Sequence, residues 1–493
     1  MSGEEKGGSP GLLVTFVLVS TGLFMVTLDN LVVSTALPVI RVDLGASLQQ
    51  LEWTVNAYTL TFAVFLLTGA ALGDRFGRRR MFSLGVLIFT VASAGAALAP
   101  DAGALVAARA VQGLGAALVT PLSLTLLSEA VPDGKRGLAI GAWSGVSGLG
   151  VAMGPVVGGA ITEGISWQWI FWVNVPIGLV IAPLAARMLV ESYGPDRGLD
   201  PLGLTLAIAA LLPITFGVIR ASELGWTSAT VLASLAAGAV LLAAFLVVEA
   251  RAREPMLPVR FFRSRAFSAT NAASFAMFFG IFGSIFFLSQ FFVTVQGLNP
   301  LQAGVRILPW TAMPIFVAPV AGLLSDRVGA RPLMALGLAL QAFAMFWVAR
   351  IAAVDAAYID FVPAFVAAGA GMSLVFAPSA NAVLSSVRPK EAGKASGATN
   401  TIRELGGVFG VSVLATVFAG AGGYASPQDY VDALRAALPV GAAVLVAGAL
   451  VALLIPRYTS PGQAGEGEEA SGAGEEAAPV PVARWAASRE SEL

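Results

Sequence analysis

Residues 73–80 read GDRFGRRR and sit between two long apolar runs. Residues 325–332 read SDRVGARP and sit between two more. An Asp-Arg-x-Gly turn with added arginines thus occurs twice, 252 positions apart, in a chain that is otherwise poor in charge. Of its 493 residues 57% are hydrophobic and 12% charged, with a mean hydropathy of +0.80. Soluble domains carry about a quarter charged residues. The bilayer is therefore the natural solvent for this chain, and the arginine-bearing turns belong at its surface.

A membrane span needs ~20 mostly apolar residues. Such runs lie at 11–38, 51–72, 81–99, 104–128, 137–161, 168–189, 201–219, 228–248, 267–295, 301–323, 332–350, 358–384, 396–421 and 436–456. That makes fourteen. With the N-terminus inside, 22 of the 29 basic residues fall in loops on one side and four on the other, while Arg109, Arg306 and Arg403 fall within spans. Basic residues mark the cytoplasmic side, and removing any one span would reverse every later loop. Both termini are expected in the cytoplasm. MSGEEKGGSP is a poor secretory signal and reads as a short tail before a retained helix.

Net charge is −1, with no basic surface for nucleic acid. Cysteine and histidine are both absent. Disulfides, thiol nucleophiles, zinc sites, Ser-His-Asp triads and histidine proton relays are thereby excluded. Carboxylates alone remain to exchange protons. No metal, no cofactor and no enzymatic centre is expected.

The turn is not the only internal echo. PLSLTLLSEAVP (121–132) resembles PSANAVLSSVRP (378–389), with both prolines offset by 257. Two halves of parallel topology follow, as in transporter folds. The offset leaves room for two additional helices, 201–219 and 228–248. The expected fold is an all-α membrane protein of six, two and six spans. Its parts are a cytoplasmic tail (1–10), a six-helix bundle (11–190), a two-helix insertion with its loop (191–265), a second six-helix bundle (266–456) and a disordered, cytoplasmic Gly/Ala/Glu/Pro-rich tail (457–493).

LDNLVVSTALP (28–38), WTVNAY (53–58), GDRFGRRR (73–80), RAVQGLGAA (109–117), GVAMGPVVGG (150–159) and WQWIFWVNVPIG (167–178) appear in this order. The ordered set resembles the signatures of the fourteen-helix drug:proton antiporter family of the major facilitator superfamily, although Ser34 stands where that family often has Asn. SDRVGARP and RELGGVFG (403–410) extend the match, less sharply, into the second half. The resemblance implies a monomeric, proton-coupled antiporter in a bacterial inner membrane. It would export lipophilic or amphipathic small molecules by alternating access. The rivals are an exporter dedicated to one natural product or lipid, and a non-transporting membrane receptor.

Each motif has a physical role to fill. Gly73 and Gly77 allow close approach and a tight turn, and Asp74 is placed to accept helix N-terminal amides or an arginine. Asp74, Arg75 and Arg78, with Asp326 and Arg327 in the second copy, are expected to gate the transporter; the plainer alternative is a positive-inside anchor. Asp29 lies deep in the first span, where a charge is expensive and usually functional. Counted from the outer ends, Arg109 differs from it in depth by only ~6 Å, so the two are expected within reach and to couple protons; a structural hydrogen bond from Asp29 to a neighbouring helix and an outward-snorkelling Arg109 are the plainer alternatives. Asn30, Tyr58 and Gln112 are expected beside them as substrate contacts. Glu404, next to Arg403, is either a second proton site or half of a self-neutralised pair.

Gly150, Gly154 and Gly158, with Pro155 and Gly159, form a small-residue ridge. In the resembled family this pattern marks exchangers, which implies close packing between the two halves; ordinary small-residue helix packing is the equally supported alternative. Phe275, Phe279, Phe282 and Phe286 share one helical face and are expected to line the substrate pocket, lipid contact being the alternative.

Overall fold

The computed structural model describes residues 11–132, 135–194, 200–252, 255–388 and 391–456. The two expected tails, 1–10 and 457–493, lie outside the described residues. The first half contains α1 (Leu12–Asp43), α2 (Leu48–Phe76), α3 (Arg78–Ala97), α4 (Ala102–Ala130), α5 (Arg136–Gly164), α6 (Trp169–Trp172) and α7 (Asn174–Met188). Next come α8 (Pro201–Leu224) and α9 (Ala229–Arg251). The second half contains α10 (Arg265–Thr294), α11 (Pro300–Thr311), α12 (Met313–Val328), α13 (Ala330–Ile351), α14 (Tyr358–Ser385), α15 (Ala392–Gly420) and α16 (Pro427–Ala452).

Among the described residues fourteen stretches are long and apolar enough to cross a membrane. Two of them are built from a broken helix: α6 with α7, and α11 with α12. The second break falls at Ala312, between Pro309 and Pro314, because proline supplies no N–H and crowds the preceding turn. Local signals set several starts. Ser47 and Gln50 form a reciprocal capping box on α2, Asn299 and Gln302 do the same on α11, and Asp101 accepts the Ala104 N–H at the start of α4.

In the first half α4 packs along both α2 and α3; in the second, α14 packs on α13 and α15 on α10. The halves meet along two seams, α5 against α11 and α12, and α2 against α15. Helix α8 lies over α2 and α15. Trp53 stacks on Phe216 at 6.2 Å, and the Trp226 indole N–H donates to Thr416 Oγ1 over 2.8 Å.

Two expectations need correction. The Asp-Arg-x-Gly motif is not a multi-residue turn. Helix α2 continues through Phe76 and α12 through Val328, so both aspartates ride the last helical turn. Only Gly77 (φ 104°) and Gly329 (φ 81°) reverse the chain, in a region that a β-carbon would strain. The ridge on α5 also faces a different neighbour. Gly150 abuts Thr27 and Gly154 abuts Leu31, both on α1 of the same half, while Gly158 is buried. The seam between halves is made instead by Gly137, Gly141, Gly145 and Gly148 against α12, and by Gly159 against Leu301. A helix with glycine on several faces packs closely on both sides, and spacing alone does not say which partner takes which face. The side chain of Pro155 lies outside the described residues.

Candidate functional site

Asp29 and Arg109 meet. The Arg109 Nη1 donates to Asp29 Oδ2, and both residues are buried, at 1% and 0% exposure. Asp29 is not a lone carboxylate. Its Oδ1 also accepts from Asn174 Nδ2 at 2.8 Å and from Gln112 Nε2 at 3.3 Å. Ser93 Oγ accepts from the same two amides, at 3.4 and 2.8 Å. Arg109 is held in turn by Gln112 Oε1 (2.9 Å) and the Thr54 carbonyl (3.1 Å). Its guanidinium carbon lies 4.3 Å from the Tyr58 ring centroid, a cation–π distance. The network therefore joins α1, α2, α3, α4 and α7. A buried ion pair is tolerated when further hydrogen bonds support it; here the amides serve Asp29, while among the described residues the buried Arg109 Nη2 has no hydrogen-bond partner and the guanidinium lies over the Tyr58 ring.

Sequence reasoning missed Asn174 and Ser93. Asn174 opens α7 immediately after the break in that span, and a polar residue at such a break is the available signal. Tyr58 is fully buried under Arg109, which makes it a support of that side chain. Asn30 is half-buried on α1 beside the network.

A second polar group sits at the arginine-rich end. Asp74 accepts from Arg78 Nε at 2.8 Å, and Arg78, fully buried, also pairs with Glu129 of α4. Gly194 N–H donates to the Asp74 carbonyl at 2.9 Å, which straps the segment after α7 beneath the turn. The Asp74 carboxylate abuts Gly393, and that of Asp326 abuts Gly137. These glycines are the second residues of α15 and α5, each in the opposite half. Both aspartates thus face helix N-termini, where exposed N–H groups favour an anion. The Gly137 N–H donates to Asp326, as does Asn381 Nδ2 at 3.0 Å. The copies are unequal: the position of Arg78 is taken by Ala330, and Arg327 is exposed. Arg75 leans over the Phe76 ring at 5.7 Å. Gly73 lets Leu122 of α4 close against α2.

The four phenylalanines do not form one lining. Phe275 packs on Phe409 at 6.0 Å, the Phe279 backbone is pressed against Gly410, and Phe286 is 42% exposed. Phe282 alone joins an aromatic ladder, Phe282–Phe278–Phe376–Trp143, with centroid spacings of 5.6, 5.9 and 6.4 Å. The ladder runs from α10 through α14 to α5 and so spans both halves. Among the described residues Glu404 forms no ion pair with Arg403, and no three His, Cys, Asp or Glu side chains cluster as a metal site would require.

Comparison with known proteins agrees with this architecture. The family model described as Major Facilitator Superfamily matches residues 19–411. The tetracenomycin C resistance and export protein of Streptomyces glaucescens is 35% identical over 91% of this chain and 84% of its own length. The cephamycin export protein CmcT of Amycolatopsis lactamdurans is 39% identical over 90% and 93%. The multidrug efflux pump LfrA of Mycolicibacterium smegmatis is 35% identical over 82% and 80%. Among solved structures, the proton:xylose symporter XylE superimposes with a TM-score of 0.65 at 15% identity, covering 90% of this chain and 96% of that one. At that identity the likeness concerns the fold. A domain match across most of the chain, relatives at this identity along nearly their whole length, and a shared helical architecture lead to one conclusion: the chain belongs to the major facilitator superfamily.

Proposed function

We propose that the protein is a proton-coupled antiporter that exports lipophilic or amphipathic small molecules. The observation that carries this proposal is the buried Asp29–Arg109 pair, held by Gln112 and Asn174 between α1, α4 and α7. Protonating Asp29 removes its charge from Arg109 and loosens α1 from α4. Substrate entry that drives the proton off restores the pair. Each ligand then biases the same element, which is the requirement for coupling. The names of the relatives, several of them exporters or resistance proteins, support the same direction.

With the arginine-rich end in the cytoplasm, the contacts of Asp74 with Gly393 and of Asp326 with Gly137 close that end. Ser396 Oγ donates to the Pro121 carbonyl at 3.2 Å, and Gly397 abuts Ala70, adding to the closure. The conformation is then the outward-facing one, and the two aspartates are latches that must open for the inward-facing state. Glu404 is the reserve proton site.

The test is flux in proteoliposomes with an imposed pH gradient. Outward movement of an aromatic probe such as ethidium must follow the proton gradient and stop when the gradient is collapsed. A receptor gives no such movement. A narrower reading, export of one natural product, is favoured by relatives named for single antibiotics. A susceptibility panel in a pump-deficient host separates it from broad efflux.

A further inference from the structure

Among the described residues three arginines are buried completely or nearly so: Arg78, Arg109 and Arg403. The first two face carboxylates, Asp74 with Glu129 and Asp29 respectively. Arg403, on α15 and 1% exposed, does not. Among the described residues its guanidinium donates one hydrogen bond, from Nη2 to Ser379 Oγ at 2.7 Å, and its buried Nε has no acceptor. Two rings flank it. The guanidinium carbon is 4.9 Å from the Phe376 centroid and 5.8 Å from that of Phe278.

This is an incomplete environment for a charge. Arg403 is eleven residues into α15, about 16 Å along the helix axis, which places it at mid-membrane depth. A lone charge there costs several kcal/mol, and cation–π contacts return ~0.5–2 kcal/mol. Glu404 acts on Arg403 through space without pairing with it. Consecutive helical residues point about 100° apart, and no ion pair joins the two. The rings near Arg403 belong to the ladder that bridges the halves, and Phe376 and Phe282 retain partial exposure although they lie inside the bundle. Two partly exposed rings beside a guanidinium without an ion-pair partner suit one kind of ligand: a planar aromatic body carrying an oxyanion, which arginine binds in a fork.

We propose that Arg403, framed by Ser379, Phe278, Phe376 and Trp143, is an anion subsite of the substrate cavity, and that the cargo includes aromatic molecules bearing an acidic group. The proposal rests on the export reading above and names a substrate class for it. Ser379 holds Nη2 over the ring faces, and the buried Nε–H is left without an acceptor for the carboxylate to meet.

The experiment uses two probes of equal shape, anthracene-9-carboxylate and its uncharged carboxamide. Their binding to the purified full chain is measured by calorimetry in chloride-free gluconate buffer. Wild type is expected to prefer the carboxylate by roughly tenfold or more, the scale of a charge-assisted bond. Arg403→Gln erases the preference and Arg403→Lys keeps part of it. Phe376→Leu, which retains the charge, weakens both probes, and it carries the test if Arg403→Gln fails to fold. Equal binding of the two probes by wild type, binding of neither, or an undiminished preference in Arg403→Gln overturns the proposal. So does displacement of the carboxylate by millimolar chloride, which would mark an inorganic-anion site. The two readings fail separately. Ethidium flux driven by a pH gradient without carboxylate preference removes the subsite and leaves export standing. A preference lost in Arg403→Gln, with no gradient-driven flux of any probe, keeps the binding site and removes export.

Discussion

The carboxylate of Asp74 is pressed against the backbone of Gly393, so closely that a β-carbon on residue 393 would overlap its oxygens. One residue belongs to each half of the molecule. The contact therefore exists only while the arginine-rich ends of α2 and α15 stay together. Asp326 and Gly137 repeat it across the other seam.

Gly393→Ala should break the first contact without touching any charge. Asp74→Asn removes the charge but keeps the shape. Both variants are expected to reach the membrane and to lose transport by roughly 5–150-fold, the range of a typical coupling energy. Asp326→Asn should cost less, because no buried arginine backs it. Initial rates of ethidium efflux, normalised to membrane protein, measure this. Wild-type rates in both Asp74→Asn and Gly393→Ala would reduce the motif to an orientation signal.

The glycines of α5 make a distinction that sequence spacing does not. Gly154 faces Leu31 inside the first half, and Gly141 faces the Ala318 carbonyl across the seam. Overpacking a tight contact costs about 1–3 kcal/mol, so Gly154→Val and Gly141→Val should both lower the melting temperature of purified protein. Only Gly141→Val should also slow transport per folded molecule, since that seam must rearrange during the cycle. An equal rate per molecule for the two variants would count against movement at this seam.

The fourteen spans were legible because a span is a local property, some twenty apolar residues in a row. The meeting of Asp29 with Arg109 was legible too, since depth follows from counting along a straight helix. Rotation about the helix axis was not. An apolar helix carries no stripe to show which face turns inward, so sequence does not separate Phe275 and Phe286 from Phe282, nor single out Phe278, Phe376 and Trp143. For the same reason Ser93 and Asn174 could not be assigned to Asp29 from their positions alone.

Topology is checked most directly through the absence of cysteine. Arg263 is exposed in the short 3₁₀ segment Val259–Arg263 between α9 and α10, and Thr227 is exposed between α8 and α9. An impermeant maleimide applied to intact cells should label Thr227→Cys and spare Arg263→Cys until the membrane is permeabilised. The opposite pattern would invert the orientation.

Coupling rests on Asp29. If substrate and proton compete for it, adding substrate to detergent-solubilised protein should release protons to a pH indicator. The release should shrink as pH rises, because a carboxylate already ionised has no proton to give. Asp29→Asn matches the protonated residue in size, and its amide oxygen can still accept from Asn174 and Gln112, so it should fold, bind substrate and release no proton. Arg109→Lys retains the positive charge but not the planar fork that reaches both Asp29 and Gln112, so its release should persist with a shifted pH dependence. Arg109→Ala leaves a buried carboxylate without its cation, a loss of about 3–5 kcal/mol where a buried pair is broken, and its expression should fall sharply. The double variant Asp29→Asn/Arg109→Ala removes both charges and should recover part of that expression while remaining uncoupled. Were Asp29→Asn to release as many protons as wild type, the titrating group would lie in the other half, and Glu404→Gln would become the variant that abolishes release.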